Sequence, residues 1–329
     1  MAAVREAPHA AGAGGRNLTG SCRGQEVAGG GLTASILARD ARTGELGVAV
    51  FTAYPSVGMR VPFAEPAVGV VATQGTAERS FGPRGLRMLR EGAHAGAVVR
   101  ELIAGDPGAA TRQVAVLSAD GDSAGFTGEA CVPFTAETEG ENCRCQANMM
   151  AAVGVPEAMC AAFTAAEGDL SVRLLAALDA GQAGGGDARG RMSAALLVVP
   201  AAGEPWEASV DLRVDHHADP LPELRRALDF HRAFALLGAA AEHARAGDEE
   251  GAMRAGMEAL TLAPDSPQLL LWMGLGAADG NLEVGVNLVR RALELQPSLG
   301  LFLDRIPPTV MPGASAVREK LARDTGTIP

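Results

Sequence analysis

An α+β fold followed by an all-helical end is what this sequence predicts, on three observations. First, two short apolar runs, Leu32 to Asp40 and Leu46 to Phe51, flank Arg42-Thr43-Gly44-Glu45, which reads as a β-hairpin. Second, further strand-like runs fall at Ala67 to Thr73, Gln113 to Ser118, Asp122 to Thr127, Ala194 to Val199 and Ser209 to Val214. Between them lie two helical pairs, Gly82 to Glu91 with Ala95 to Ala104, and Glu157 to Ala166 with Leu170 to Ala180. That order does not alternate as βαβ units would, so sheets with helices on their outer faces are expected. Third, strand signals stop near Leu221 and helical periodicity takes over, which places a domain boundary between Pro220 and Arg232. The expected organisation is a leader over 1–31, an α+β domain over 32–220 and a helical domain with a polar tail over 221–329.

The leader, Met1 to Gly31, is rich in Ala and Gly, has no period, and buries too little apolar surface to offset the entropy of ordering. The rest of the chain, within 329 residues that are 47% apolar, is long enough for a sizeable core. A net charge of −11, from 28 Lys plus Arg against 39 Asp plus Glu, disfavours nucleic acid and anionic membrane surfaces as partners. No apolar run is long enough for a membrane span, and the first thirty residues lack the pattern of a secretion signal, so a cytoplasmic location is expected. Lysine occurs once, at Lys320, which excludes Schiff-base, P-loop and Ser-Lys chemistry from the first three quarters of the chain. The five cysteines, Cys22, Cys131, Cys143, Cys145 and Cys160, have no spacing that suggests a disulfide framework.

The helical end repeats itself. Gly247-Asp248 matches Gly280-Asn281, and Ala259-Leu260-x-Leu262-x-Pro264 matches Ala292-Leu293-x-Leu295-x-Pro297, an offset of 33 residues. That is close to the period of about 34 residues of tetratricopeptide repeats, with the turn Gly and the closing Pro in place. Such a pair presents a stacked helical surface to a protein partner or covers a flank of the first domain. The run Leu269-Leu270-Leu271-Trp272 is too apolar for one exposed helix face, so part of it must be buried.

Thr33 opens the first strand directly after the leader. As a mature N-terminus it would combine a hydroxyl nucleophile with its own α-amine, whose pKa of about 7.7–8.0 suits a base at neutral pH. The run Thr33 to Asp40 with Thr43 to Val50 resembles the start of the domain-of-unknown-function 1028 family, placed among the N-terminal-nucleophile (Ntn) hydrolases. The likeness continues through Val71-Ala72-Thr73-Gln74, Phe81 to Leu86, Arg112-Gln113, Thr127-Gly128-x-x-Cys131, Gln146-Ala147-Asn148, Ala183 to Gly190, Ser193 to Leu196 and Asp211 to His217. It departs at Ala147, where the family tends to have Gly, and at Met192, where Gln often precedes the serine. Leu32 stands where the family has the Met that precedes its threonine. The leader is therefore read as a propeptide cleaved at Leu32-Thr33, as the product of a start placed upstream of a true start at Leu32, or as retained in an inactive chain.

The resemblance implies an Ntn αββα four-layer sandwich, followed by the tetratricopeptide-like domain. It implies catalytic roles for Thr33 as nucleophile, Asp187 and Ser193 beside its amine, and Asn148 as oxyanion donor, with Thr73, Gln74 and Arg189 binding substrate. The expected activity is hydrolysis of a small amide or peptide-like bond, without cofactor or metal, in a homo-oligomer. The alternative is a catalytically silent binding or scaffold protein acting through the helical repeat. Gly184-Gly185-Gly186 precedes a strand and no Lys-Ser/Thr follows it, which argues against a phosphate loop. Cys143-x-Cys145 and Asp215-His216-His217 do not have zinc spacing, and the second, although it spells the triplet of DHH phosphoesterases, lacks their other aspartate motifs.

Overall fold

The computed structural model describes residues 33–324. The expected leader, Cys22 and Leu32 lie outside the described residues. The hairpin consists of β1 (Thr33–Arg39) and β2 (Leu46–Thr52). The Asp40 carboxylate shapes its turn, accepting hydrogen bonds from the backbone N–H of Arg42 at 2.8 Å and Thr43 at 3.4 Å. There follow β3 (Pro62–Glu65), β4 (Gly69–Gly75), α1 (Phe81–Arg90), α2 (Ala95–Ile103), β5 (Arg112–Ser118), β6 (Ser123–Thr127), β7 (Ala136–Gly140) and β8 (Cys143–Asn148). The α+β part closes with α3 (Val155–Ala165), α4 (Leu170–Ala183), β9 (Ser193–Val199) and β10 (Val210–Val214).

The strands form two antiparallel sheets, one of six strands in the order β10-β9-β2-β1-β8-β7 and one of four in the order β3-β4-β5-β6. Strand alternation sorts the core into three slabs. Leu37, Val48, Val70, Ala115, Leu117 and Ala195 meet between the two sheets. Ala34, Ile36, Ala38 and Leu196 face the other way, against Met159, Phe163 and Leu174 of α3 and α4. Val71, Val114 and Val116 of the smaller sheet carry Leu86 of α1 and Val98 and Leu102 of α2. The order through the domain is thus helices, sheet, sheet, helices.

Three strands were not legible as strands. β3 is four residues long and opens on a proline, and the β4 run starts at Gly69 because Ala67 sits in the β3–β4 turn with φ 60°. β7, Ala-Glu-Thr-Glu-Gly, and β8, Cys-Arg-Cys-Gln-Ala-Asn, do alternate, but thiols, amides and small residues fill their inward positions instead of branched apolar ones.

The helical end comprises α5 (Pro220–Arg245), α6 (Glu249–Leu262), α7 (Pro267–Ala277), α8 (Leu282–Leu295), α9 (Leu299–Arg305) and α10 (Gly313–Asp324). Helix α5 belongs to both parts: Leu221, Leu224 and Leu228 join the core under the six-stranded sheet, and Ala233 packs with Ala259 of α6 and Leu269 of α7. Leu270 and Leu271 turn instead toward Val286 and Val289 of α8, so the long apolar run of α7 is buried on two sides. Helices α7 and α8 touch backbone to backbone at a pair of glycines: a Cβ on Gly274 would lie 2.7 Å from Gly285 O, and one on Gly285 2.6 Å from Gly274 O.

A chain cut after Arg232 keeps Leu221, Leu224, Leu228 and the Arg232–Asp169 ion pair (3.2 Å) on the α+β side. It is expected to fold cooperatively but to be less soluble, because Phe230 loses its ring partner Phe234, 4.7 Å away. Circular dichroism through thermal unfolding checks this; a helical signal that melts without a sharp transition would show that the helical end is part of the fold's core.

Candidate functional site

Thr33 is the first residue of β1, and β1 alternates, so Thr33, Ser35 and Leu37 look into the space between the sheets. Antiparallel register sets Asn148 of β8 and Thr52 of β2 opposite Thr33 on its two sides, and Ser193 of β9 opposite Thr52. Residues paired this way share a face, so Asn148, Thr33, Thr52 and Ser193 form one polar row at the end of an otherwise apolar slab. Thr33 Oγ1 donates to Thr52 Oγ1 at 3.3 Å.

The smaller sheet answers with two glutamines, Gln74 of β4 and Gln113 of β5, themselves directly paired. Gln74 Nε2 donates to Thr33 O at 3.0 Å and to Gln113 Oε1 at 2.8 Å. Asn148 Nδ2 donates to the same Gln113 oxygen at 2.9 Å, and Gln113 Nε2 donates to Thr127 Oγ1 and Ala147 O, both at 3.0 Å. One row deeper, Ser35 Oγ donates to Gln74 Oε1 at 2.7 Å and accepts from Gln146 Nε2 at 3.3 Å. Gln146 Oε1 is buried and is the one acceptor of this cluster left with no hydrogen-bond partner among the described residues. Gln113, Gln146 and Ser35 are fully buried, so the network works in a low dielectric, where each bond is strong and each gap is costly.

The remaining residues singled out from sequence are placed as follows. Ser193 lies in the row but one strand beyond Thr52, about 10 Å from Thr33 by inter-strand spacing. Its hydroxyl donates to Tyr54 O at 2.5 Å and accepts from Val57 N at 3.2 Å, which pins the loop after β2. Asp187 accepts from Ala53 N at 2.6 Å and Arg189 N at 2.8 Å, and pairs with the Arg189 guanidinium at 3.2 Å. It therefore ties the glycine loop to the end of β2, next to Thr52. That loop needs its glycine at Gly186, whose φ is 59° and where a Cβ would fall 2.1 Å from Gln182 Nε2. Thr73 shares the parity of Val71 and faces helix α1, where its Oγ1 accepts from Glu78 N at 3.2 Å, and its own N–H donates to Val61 O. Gln74 is thus at the row and Thr73 is on the other face of the sheet.

Thr52 carries no sequence signal, and Gln113 and Gln146 enter only as members of the family-like blocks without a role, although a signal exists: in Gln113-x-Ala115-x-Leu117 a glutamine occupies a position of the buried alternation. Beside it, Arg112 anchors the start of β5 through Asp106 at 2.8 Å and Thr76 O at 2.5 Å. The Arg112 guanidinium holds the Asp106 carboxyl below the usual carboxylate range.

The loops around this end are strained. Among the described residues five non-glycine residues have positive φ; Ala67 and Asn142 sit in hairpin turns, whereas Ser56, Phe134 and Met149 follow β2, precede β7 and follow β8 at the Thr33 end. Phe134 and Val153 on those loops are 60% and 80% exposed, while Thr33 beneath them is 5% exposed. Grooves of about 440 Å³ beside α2 and β6, and about 310 Å³ by β3, Leu197 and Arg213, are lined by none of the row's residues. Among the described residues no group of His, Cys, Asp and Glu is arranged to hold a metal ion, and no helix is long and apolar enough to cross a membrane.

Chemically, the row offers the hydroxyls of Thr33, Thr52 and Ser193, with Thr33 and Ser193 each opening a strand, amide N–H donors from Asn148 and Gln74 beside Thr33, and one carboxylate, Asp187, at the end of β2. No curated protein matches the chain. The crystal structure of protein SPO2555 from Silicibacter pomeroyi, assigned to DUF1028, is similar, with 34% identity and a TM-score of 0.56 over 60% of this chain and 84% of that one. The family of unknown function DUF1028 matches residues 33–224, and it begins at Thr33 and takes in the whole polar row, so the chain belongs to that family.

Proposed function

We propose that this protein is an amidohydrolase of the Ntn type, with the layered domain as its αββα sandwich and Thr33 as its nucleophile. One observation carries the reading: the threonine at which the family match and the first strand begin also sits inside the polar row, between Asn148 and Thr52. Once its peptide bond to Leu32 is cut, the α-amine accepts the Oγ1 proton, directly or through a water, and Oγ1 attacks the substrate carbonyl. Asn148 Nδ2, held 2.9 Å from Gln113 Oε1 in the resting state, turns to the oxyanion, with Gln74 Nε2 as the neighbouring donor. The amine leaves with the proton, and water hydrolyses the Thr33 ester. Asp187 and Ser193 act by fixing the strand ends and loop around the amine. Arg189, half-exposed, faces the substrate side, and the substrate class is a small amide or peptide-like molecule.

We also read α5 to α8 as two tetratricopeptide-like units. Asp248 and Asn281, one repeat apart, both cap the next helix, accepting from Gly251 N and Val284 N, and Ala259 and Ala292 are both fully buried. Met253 and Met257, one turn apart on α6 and 68% and 64% exposed, favour a second reading in which this surface binds a protein partner and the first domain is silent.

Intact mass of protein from its native source separates the readings. The expected chain starts at Thr33, and it should release ammonia or amine from some member of a panel of small amides and dipeptides. Activity confined to material that retains the leader would end the Thr33 mechanism.

A further inference from the structure

On the opposite face of the six-stranded sheet from Thr33 lies a cluster that the proposed reaction does not use. Cys143 and Cys145 alternate along β8 and point to α3, which carries Cys160. Cys160 Sγ lies 3.0 Å from Cys145 Sγ and 3.6 Å from Cys143 Sγ, and all three are free thiols. Closing the shorter gap to a bond of about 2.0 Å takes about 1 Å of movement. The cover over the cluster is thin. Cys160 Sγ donates weakly to Thr138 O at 3.5 Å, on β7, an edge strand with a single neighbour, and Gly140 of the same strand lays bare backbone over the thiols, a Cβ there falling 2.9 Å from Cys143 Sγ.

We propose that Cys145 and Cys160 form a disulfide when the protein meets a hydroperoxide, tying α3 to β8. The Cys160 sulfur attacks one oxygen of hydrogen peroxide and the O–O bond breaks; the other oxygen leaves as water with the thiol proton, and Cys160 becomes a sulfenic acid. The Cys145 sulfur then attacks the Cys160 sulfur, the S–O bond breaks, and a second water carries off the Cys145 proton. Two thiols are oxidised and one peroxide is reduced to two waters.

The surroundings assign the order of attack. Hydrogen bonds from Cys143 and Cys145, with the charge of Arg144, pull the Cys160 thiol down, whereas burial pushes Cys145 up and keeps it a thiol. Cys160 is also the least deeply buried of the three residues, 5% exposed where Cys145 has none. Cys143 is farther from Cys160 and stays reduced.

Trypsin reads the pairing. Cleavage after Arg112, Arg144 and Arg173 leaves Cys131 and Cys143 on peptide 113–144, where fragmentation tells them apart, and both Cys145 and Cys160 on peptide 145–173. The full chain is treated with hydrogen peroxide, denatured in an alkylating agent and digested. The expected result is a 145–173 peptide that carries no alkyl group and is lighter by two hydrogens, alkylated Cys143 on 113–144, and full restoration of alkylation by dithiothreitol. Cys143→Ser should keep this signature and Cys160→Ser should lose it. Complete alkylation of 145–173 after peroxide, or a cross-link between the two peptides, would overturn the assignment.

Discussion

Thr33→Ala is expected to abolish turnover, by about a thousandfold or more, and to leave the fold in place. The substitution removes Oγ1, the nucleophile of the proposed reaction, from a position where a small residue fits the strand as Ala34 does on its other face. The structural loss includes the 3.3 Å contact with Thr52 Oγ1, worth about 1 kcal/mol. Thr33→Ser keeps the hydroxyl and the α-amine and should retain part of the rate. Amine release on the responsive substrate, read beside the thermal midpoint, checks both variants. Full activity in Thr33→Ala would move the search to Ser35 or Ser193.

Gln113→Ala should produce a large stability loss, about 3–5 kcal/mol, a sizeable share of the 5–15 kcal/mol that holds a typical domain. Gln113 is fully buried and joins Gln74, Asn148, Thr127 and Ala147 across both sheets. Removing it takes a partner from each of them, at about 1–3 kcal/mol for every buried group left unsatisfied, and opens a cavity that no neighbouring apolar side chain can fill. The exposed Arg213–Asp211 pair at 3.1 Å offers the contrast: Asp211→Asn should cost less than about 0.5 kcal/mol. Urea denaturation of the three proteins decides. A loss below about 1 kcal/mol for Gln113→Ala would mean that the two sheets are held by the apolar slab alone.

The same residue shows why part of the site was hidden. Gln113 stands in a run, Arg112 to Ser118, that announces a strand by its branched apolar residues, so the strand was legible and its one polar inward position was not weighed. Thr73 and Gln74 make the converse case. They are adjacent in sequence and were given one role, yet adjacent strand residues face opposite ways, and only Gln74 reaches Thr33. The strand that carries Asn148 is not legible because thiols, an arginine and amides mask the alternation of β8; pairing with β1 makes Asn148 its last residue.

By itself the sequence determined the features that depend on neighbours a few residues apart. These are the β1–β2 hairpin about its Asp40 turn, the helices α1 to α4 to within a few residues, the switch to helix at Pro220 and the 33-residue repeat with its two capping residues. Only the tertiary structure decided that positions 33, 52, 148 and 193 form one row, that Gln74 and Gln113 close over it, and that Cys145 meets Cys160. The physical reason is that strand register is a property of pairs of segments: local preference fixes the period of each strand, while which strand lies beside which, and which face is buried against what, is set by hydrogen bonds and packing between residues up to 153 positions apart.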